Sequence, residues 1–494
     1  MNKIFLLALF FPLLLLGQND STSRWKGTQY TIAGELIASD GAHSPFWFSA
    51  NRHGLNSIAP HQQLLRLSVQ RDEKMDSTRT WRLGYGADVV AGSHQLSTLR
   101  FQQLYASLRY GRSRFTLGMK EEAAYLVNPE LSTGSQALGI NARPLPALRW
   151  DLDWTNIGGK SQWAAIRGHI SYGMVTDGKW QESYVPQTHN YIKGATLHHK
   201  AGYIRFGHPH RHVFNFTAGL EMAREFGGTV YFGAPGNSNQ PRRTLVMEQD
   251  FLHYLYALAG TGGNDATDGV GYENNAGNTI GAWRMALEYR QPHQNWKAKL
   301  YYDHYFDDHS AMFDEYGWFD GMWGLELSFP QNRFVSSLVL EHVRTDDQSG
   351  PIYHDHTPVV PDQISATDNY YNHGLFQGWQ HFGMARGNAL WASPLYDKKK
   401  ILFFKGTRFR ANHIGLSGQP LPSLHYRLLY THLWSWGTYH DPYPEIKHQH
   451  SALVEVGYSW RNWIAKAAVA WDRGDKIGQQ TGCQITIAKR GILF

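Results

Sequence analysis

Apolar and polar residues alternate with a period of two over segments of about ten residues, the length a strand needs to cross a bilayer at a barrel's tilt. In 147–156, Leu148, Trp150, Leu152 and Trp154 fall on one face, while Arg149, Asp151, Asp153 and Thr155 fall on the other. One face suits lipid and the other water. The division recurs in Trp81, Leu83, Tyr85, Ala87 and Val89, in Phe214, Phe216, Ala218, Leu220 and Met222, and in Trp283, Met285, Leu287 and Tyr289. It returns in Tyr426, Leu428, Tyr430, His432 and Trp434, and then in two consecutive runs, 452–460 and 463–471, separated only by Arg461 and Asn462. So short a connection predicts a hairpin. Soluble sandwiches and propellers also alternate, but these segments are long for a sandwich, carry tryptophans at their ends and place charges on their polar faces. The pattern predicts an all-β, closed antiparallel transmembrane barrel; at about 25 residues per strand and connection it has roughly 16–20 strands, with a few short helices.

One helix is predicted within 248–258, where Phe251, Leu252, Leu255 and Leu258 share a face before Gly260. The Gly-, Asp- and Asn-rich stretch 260–278 reads as an exposed loop; its Asp265 and Asp268 lack the ligand spacing of a calcium loop. At the C-terminus Ile485 and Ile487 alternate cleanly, whereas the terminal Phe494 has the opposite parity, which predicts a bulge in the last strand.

The N-terminus changes the picture. Lys3 precedes an apolar run from Ile4 to Leu16 that stops at Gly17, the layout of a secretory signal peptide, and the run is too short for a spanning helix. Residues 1–17 are therefore expected to be removed, leaving 18–494 as a single outer-membrane barrel domain of a Gram-negative bacterium, inserted by the barrel assembly machinery among outer-membrane lipids. No second long apolar run follows, and the mean hydropathy is -0.46. Aromatic residues make up 14% of the chain and charged residues 18%, with 49 glycines, a balance suited to strands, tight turns and interfacial girdles. A single cysteine, Cys483, excludes an internal disulfide framework. The net charge of +6 is mild, and the run Lys398–Lys400 is too short to suggest nucleic-acid binding.

Chemistry concentrates in 301–388. Asp303, His304, Asp307, Asp308, His309, Asp314, Glu315, Tyr316, Trp318, Asp320 and Trp323 are followed by His354, Asp355 and His356, and then by Tyr370, Tyr371, Asn372, His373, Trp379, His381, Arg386 and Asn388. Aromatic faces accept the C–H face of a pyranose, carboxylates and amides bind its hydroxyls, and an arginine fork suits an acidic sugar. The same residue types also fill a barrel lumen, where polar side chains bond to one another, or form the interfacial girdle. The residues alone leave both readings open.

In this region the sequence resembles the Wzi-type capsule assembly family. The resemblance lies in Tyr305-Phe306-Asp307-Asp308-His309-Ser310, Trp318-Phe319-Asp320-Gly321-Met322-Trp323-Gly324, 348–355, Asp368-Asn369-Tyr370-Tyr371-Asn372-His373 and Gly378-Trp379-Gln380-His381-Phe382-Gly383, leading to Gly387-Asn388, with weaker matches at 273–278 and 437–439. It implies an outer-membrane barrel of about 18 strands acting as a lectin that retains capsular or other surface polysaccharide. The expected polysaccharide-binding set is Asp303, Asp307, Asp308, Tyr316, Trp318, Asp320, Trp323, Tyr370, Tyr371, Asn372, His373, Trp379, Arg386 and Asn388. The sequence departs from the family pattern at Ala389, where proline is expected.

No cofactor or metal is expected: the 26 histidines include His208-Pro209-His210-Arg211-His212 and His448-Gln449-His450, but without the carboxylate or cysteine partners of a ligand set. Two other functions compete with a non-catalytic lectin. A porin or substrate channel would show the same alternation and would need an open lumen. A glycan hydrolase would need two of Asp307, Asp308, Glu315 and Asp320 across an open groove.

Overall fold

A computed structural model describes residues 27–76, 79–94, 97–234, 241–260, 277–307, 312–313, 318–329, 334–348 and 368–493. Residues 1–26, Phe494 and most of the Gly-rich loop lie outside the described residues. The wall is an 18-stranded sheet. Its strands, in chain order, are β1 (Gln29–Ser39), β2 (His61–Arg71), β3 (Trp81–Ser93), β4 (Leu99–Tyr110), β5 (Ser113–Met119), β6 (Pro146–Asn156), β7 (Ala164–Met174), β8 (Thr196–Phe206) and β9 (Phe214–Phe226). They continue as β10 (Asn278–Arg290), β11 (Lys297–Asp307), β12 (Gly321–Ser328), β13 (Ser337–Arg344), β14 (Arg408–Leu421), β15 (Leu424–Gly437), β16 (Pro442–Trp460), β17 (Trp463–Gly474) and β18 (Gln480–Ile492).

Each strand pairs antiparallel with its neighbours in sequence, and β1 closes the ring on β18 from Gln29↔Ile492 to Ser39↔Gly482. Closure leaves no open edge, as hydrocarbon demands of a spanning sheet. Exposed Leu148, Phe216, Leu287, Val454, Val469 and Ile485 face outward, while their neighbours Asp151, Arg284, Glu455 and Gln484 are buried inside. The predicted hairpin is present, with Trp460↔Trp463 as its last pair and Arg461 at φ 51°, a positive angle at the first turn position.

Eight connections at one end, among them 111–112, 422–423 and 461–462, are short, and both described termini lie there; this is the periplasmic end. The connections at the other end include 40–60, 120–145, 175–195, 227–277 and 345–407. They contain the helices α1 (Phe46–Ser49), α2 (Gly178–Tyr184) and α3 (Phe251–Ala259).

Two sequence expectations need correction. No register shift interrupts β18 against either β17 or β1 up to Ile492. The expected bulge is therefore absent there: Leu493 has already left the strand, so parity need not extend to Phe494. Bulges occur elsewhere. One between Leu152 and Thr155 in β6 takes Trp154 off the lipid-facing row and sets it beside Tyr125 and Arg205 on the lumen side.

Candidate functional site

Three extracellular connections fold inward and plug the lumen: 40–60, 120–145 and 368–407. Their apolar residues join the wall's inner face in one buried cluster that includes Trp47, Phe48, Leu131, Tyr371, Trp379 and Trp391. Backbone that enters a barrel must satisfy its polar groups, and the wall supplies the partners. Glu341 on β13 accepts from the Thr133 backbone N–H at 2.8 Å, from the Thr133 hydroxyl at 2.7 Å and from the Tyr301 hydroxyl at 2.6 Å. Glu35 on β1 takes Arg52 at 2.8 Å and Asn56 at 2.8 Å, and Asp472 on β17 accepts the N–H of Phe46 at 2.9 Å.

The expected sugar-binding residues divide into three groups. The first is the plug core. Tyr370, Tyr371, Asn372, Trp379, Arg386 and Asn388 are all buried. Trp379 Nε1 donates to Ala137 O at 2.7 Å and Tyr371 Oη donates to Gln136 O at 2.5 Å, both across to the 120–145 loop. Tyr371 stacks on Trp391 at 4.6 Å, and its hydroxyl accepts the Asn388 N–H at 3.0 Å. Asn372 exchanges two 2.8 Å bonds with the backbone of Phe404, and Arg386 reaches Glu225 on β9 at 2.7 Å. Of the plug members only His373 keeps partial exposure. Gly387 fits because a Cβ there would run into Gln136 O and the Tyr371 hydroxyl. The departure at Ala389 also has a structural reason, since its N–H donates to Thr133 O at 3.3 Å, a bond proline could not make.

The second group faces the wall. Asp303 is a lumen residue of β11 and binds Arg284 on β10 at 3.0 Å; Arg284 also reaches Glu221 on β9 at 2.8 Å. Asp307 is buried at the top of the same strand. Trp318 and Trp323 lie on the outside of the barrel instead. Trp323 stacks on Tyr302 at 4.4 Å and Trp318 on His304 at 4.6 Å, so they occupy the position of an interfacial girdle. Asp320, in the β11–β12 connection, accepts the N–H groups of Asp347 at 3.1 Å and Gln348 at 2.6 Å. The third group, Asp308 and Tyr316, lies outside the described residues, as do Asp314, Glu315 and 354–356.

Burial pushes the carboxyl of Asp320 up to about 7 against its backbone hydrogen bonds. A carboxyl raised in the folded state stabilises most below its unfolded value, near 4, and that contribution is lost as pH rises through about 7. The tie between the connections 308–320 and 345–407 is thus expected to weaken between pH 4 and 7. Protease cleavage of the 345–407 connection should quicken over that range in the wild type and stay flat in Asp320→Asn. An unchanged pH profile in the variant would remove Asp320 as its cause.

Space remains below and beside the plug. A cavity of about 730 Å³ between the plug and the periplasmic turns is lined by Glu35, Arg66, His425, Arg427, Lys466 and Arg490. A second, of about 190 Å³, lies against β5–β10 and is lined by Arg143, Arg149, Arg167, His169 and His199. Sequence reasoning missed these lumen residues because all of them but Arg143 lie on strands, where they read only as the polar half of an alternation.

No family model matches the sequence, and no curated protein matches it. Among solved structures, the chain is similar to Wzi of Escherichia coli, described as an outer-membrane protein involved in group 1 capsule assembly and a carbohydrate-binding β-barrel: 11% identity over 98% of this chain and 87% of that one, TM-score 0.55. It is also similar to OccK3 (OpdO) and OccK5 (OpdH) of Pseudomonas aeruginosa, at 12% and 8% identity, each over 94% of this chain and over 96% and 97% of theirs, with TM-scores of 0.43 and 0.46. At such identities the likeness concerns the fold: the chain is a closed barrel of the Gram-negative outer membrane.

Proposed function

We propose that this barrel retains a surface polysaccharide outside the cell through its extracellular loops, without cleaving it, and so contributes to capsule assembly. The observation that carries the reading is the plug: a channel needs a continuous aqueous path, and here buried aromatic rings and hydrogen-bonded loops occupy the extracellular half of the lumen. The likeness in fold to a carbohydrate-binding barrel supports it. The buried members of the expected set, such as Tyr371 and Trp379, serve by fixing the platform. Contact with the polymer falls to the loop surface, where His373, and Tyr439 with Arg408 3.8 Å over its ring, combine aromatic faces with polar groups.

The test is a glycan screen on the purified, folded barrel, including surface polysaccharide from its own host. Binding is expected, with loss of about tenfold in affinity in Tyr439→Ala combined with His373→Ala. A folded barrel that binds none of these polymers would end the lectin reading, and release of shorter glycans would make the protein a hydrolase. Against hydrolysis, Asp303, Asp307 and Asp320 are all buried, and the first and last are held by Arg284 and by backbone N–H groups. The lumen cavities favour a channel as the second reading.

A further inference from the structure

We propose that α3 is a membrane-embedded helix on the outside of the barrel, its Phe251, Leu252, Leu255 and Leu258 face seated among the acyl chains of the outer leaflet. Its chain position, in an extracellular connection, does not require this. Its contacts do. The Tyr172 hydroxyl donates to Tyr254 O at 2.7 Å, and Lys200 Nζ donates to Ala257 O at 3.1 Å and Leu258 O at 2.5 Å. On β7 and β8, His169, Ser171 and His199 line the lumen cavity, so the alternating Tyr172, His198 and Lys200 point outward. The helix therefore lies against the outer wall, near the extracellular rim.

The wall beneath it has a polar gap. Tyr172 pairs with His198, and Ile170 with Lys200. A lysine and a histidine facing lipid are costly in a barrel wall. Here His198 is 1% exposed although it points outward, with its ring 4.5 Å from Tyr172. Lys200 is bonded to carbonyls of the last helical turn, where the helix's own donors run out. The Asp250 side chain caps the other end by accepting the N–H of His253 at 3.1 Å, and Gly260 ends the helix at φ 73°. Only Ala257 of the helix is buried, whereas Phe251 is 78% exposed and Leu252, Leu255 and Leu258 are also exposed.

The occupant of that face is lipid because the face continues a lipid-facing surface. Met174, two residues above Tyr172 at the top of β7, is exposed beside the helix, and from there the outward row of the same wall runs through Leu220 on β9 and Trp283 on β10 down to exposed Phe206, Phe214, Phe216 and Leu287 toward the periplasmic end. An apolar stripe lying along a bilayer with its polar side turned away is the geometry of an interfacial helix. Here the backbone carbonyls at the helix's C-terminal end meet the barrel's own lysine, so the helix roofs the gap and presents apolar side chains in its place.

The test uses the full barrel in phosphatidylcholine vesicles with a bimane label. In the wild type the label goes on Cys483, which is exposed on β18 between inward residues, and reports a lipid-facing control. In Cys483→Ser combined with Leu255→Cys it reports α3. Nitroxide carried on the acyl chains is expected to remove about half of the fluorescence at both positions, and a water-soluble nickel chelate less than about a tenth. Quenching by the chelate at position 255 would overturn the proposal in favour of a solvated helix. Protection from both quenchers would overturn it in favour of a protein partner, such as a second barrel. Should Leu255→Cys lower the yield of folded barrel, Phe251→Cys carries the label with the same expectations.

Discussion

Replacing Tyr371 and Trp379 together by alanine is expected to turn a barrel that is silent in planar bilayers into one that passes discrete ionic steps. Both side chains are fully buried, and both tie the 368–407 connection to the 120–145 loop, through Gln136 O and Ala137 O. Truncating a buried aromatic costs about 3–5 kcal/mol at one site, and two changes in one contact network do not add simply. The wall keeps its own hydrogen bonds, so the loss falls on the plug, whose displacement would join the extracellular mouth to the cavity of about 730 Å³ above the periplasmic turns. Single-channel recording checks this, with gel mobility before and after heating showing that the barrel is folded. Steps of equal size in the wild type would mean that the lumen already conducts and would favour the channel reading; silence in a folded variant would mean that other loops close the pore.

The strands were legible because lipid enforces a simple rule on one of their faces. Leu148, Phe216, Leu287 and Val454 had to be apolar whatever the rest of the fold did, and the period followed. Trp154 escaped that rule because a bulge shifts parity locally, and nothing in Asp153-Trp154-Thr155 announces one. The plug was legible as a chemical mixture but not as a location. Tyr371, Trp379 and Asn388 bond to backbone of a loop more than 200 residues away, and the same residues in the same order would also suit a sugar surface. Trp318 and Trp323 posed the converse difficulty, since an aromatic at a strand end reads alike for a glycan platform and a girdle. The apolar stripe of α3 foretold a helix, yet a stripe does not say whether it meets a core or a membrane.

The lumen wall supplies the second large effect, at Arg284. Its side chain is 1% exposed, lying between Glu221 at 2.8 Å and Asp303 at 3.0 Å, while Glu221 also bonds His199 at 2.9 Å and the Tyr203 hydroxyl at 3.4 Å. The group spans four adjacent strands, β8 to β11, so its loss is felt across that part of the wall. Arg284→Met keeps much of the volume but leaves two buried carboxylates without their shared cation, a change expected to cost about 3–5 kcal/mol. The urea midpoint of the barrel in lipid vesicles should fall accordingly. Arg284→Lys retains the charge and loses the fork that serves both acids at once, so it should fall between the wild type and the methionine variant. Combining Arg284→Met with Glu221→Gln and Asp303→Asn removes the uncompensated charge and should recover most of the loss, because the damage comes from stranded carboxylates more than from missing attraction. A triple variant as weak as Arg284→Met alone would show instead that the guanidinium's packing against Tyr203 and its neighbours is what the wall requires.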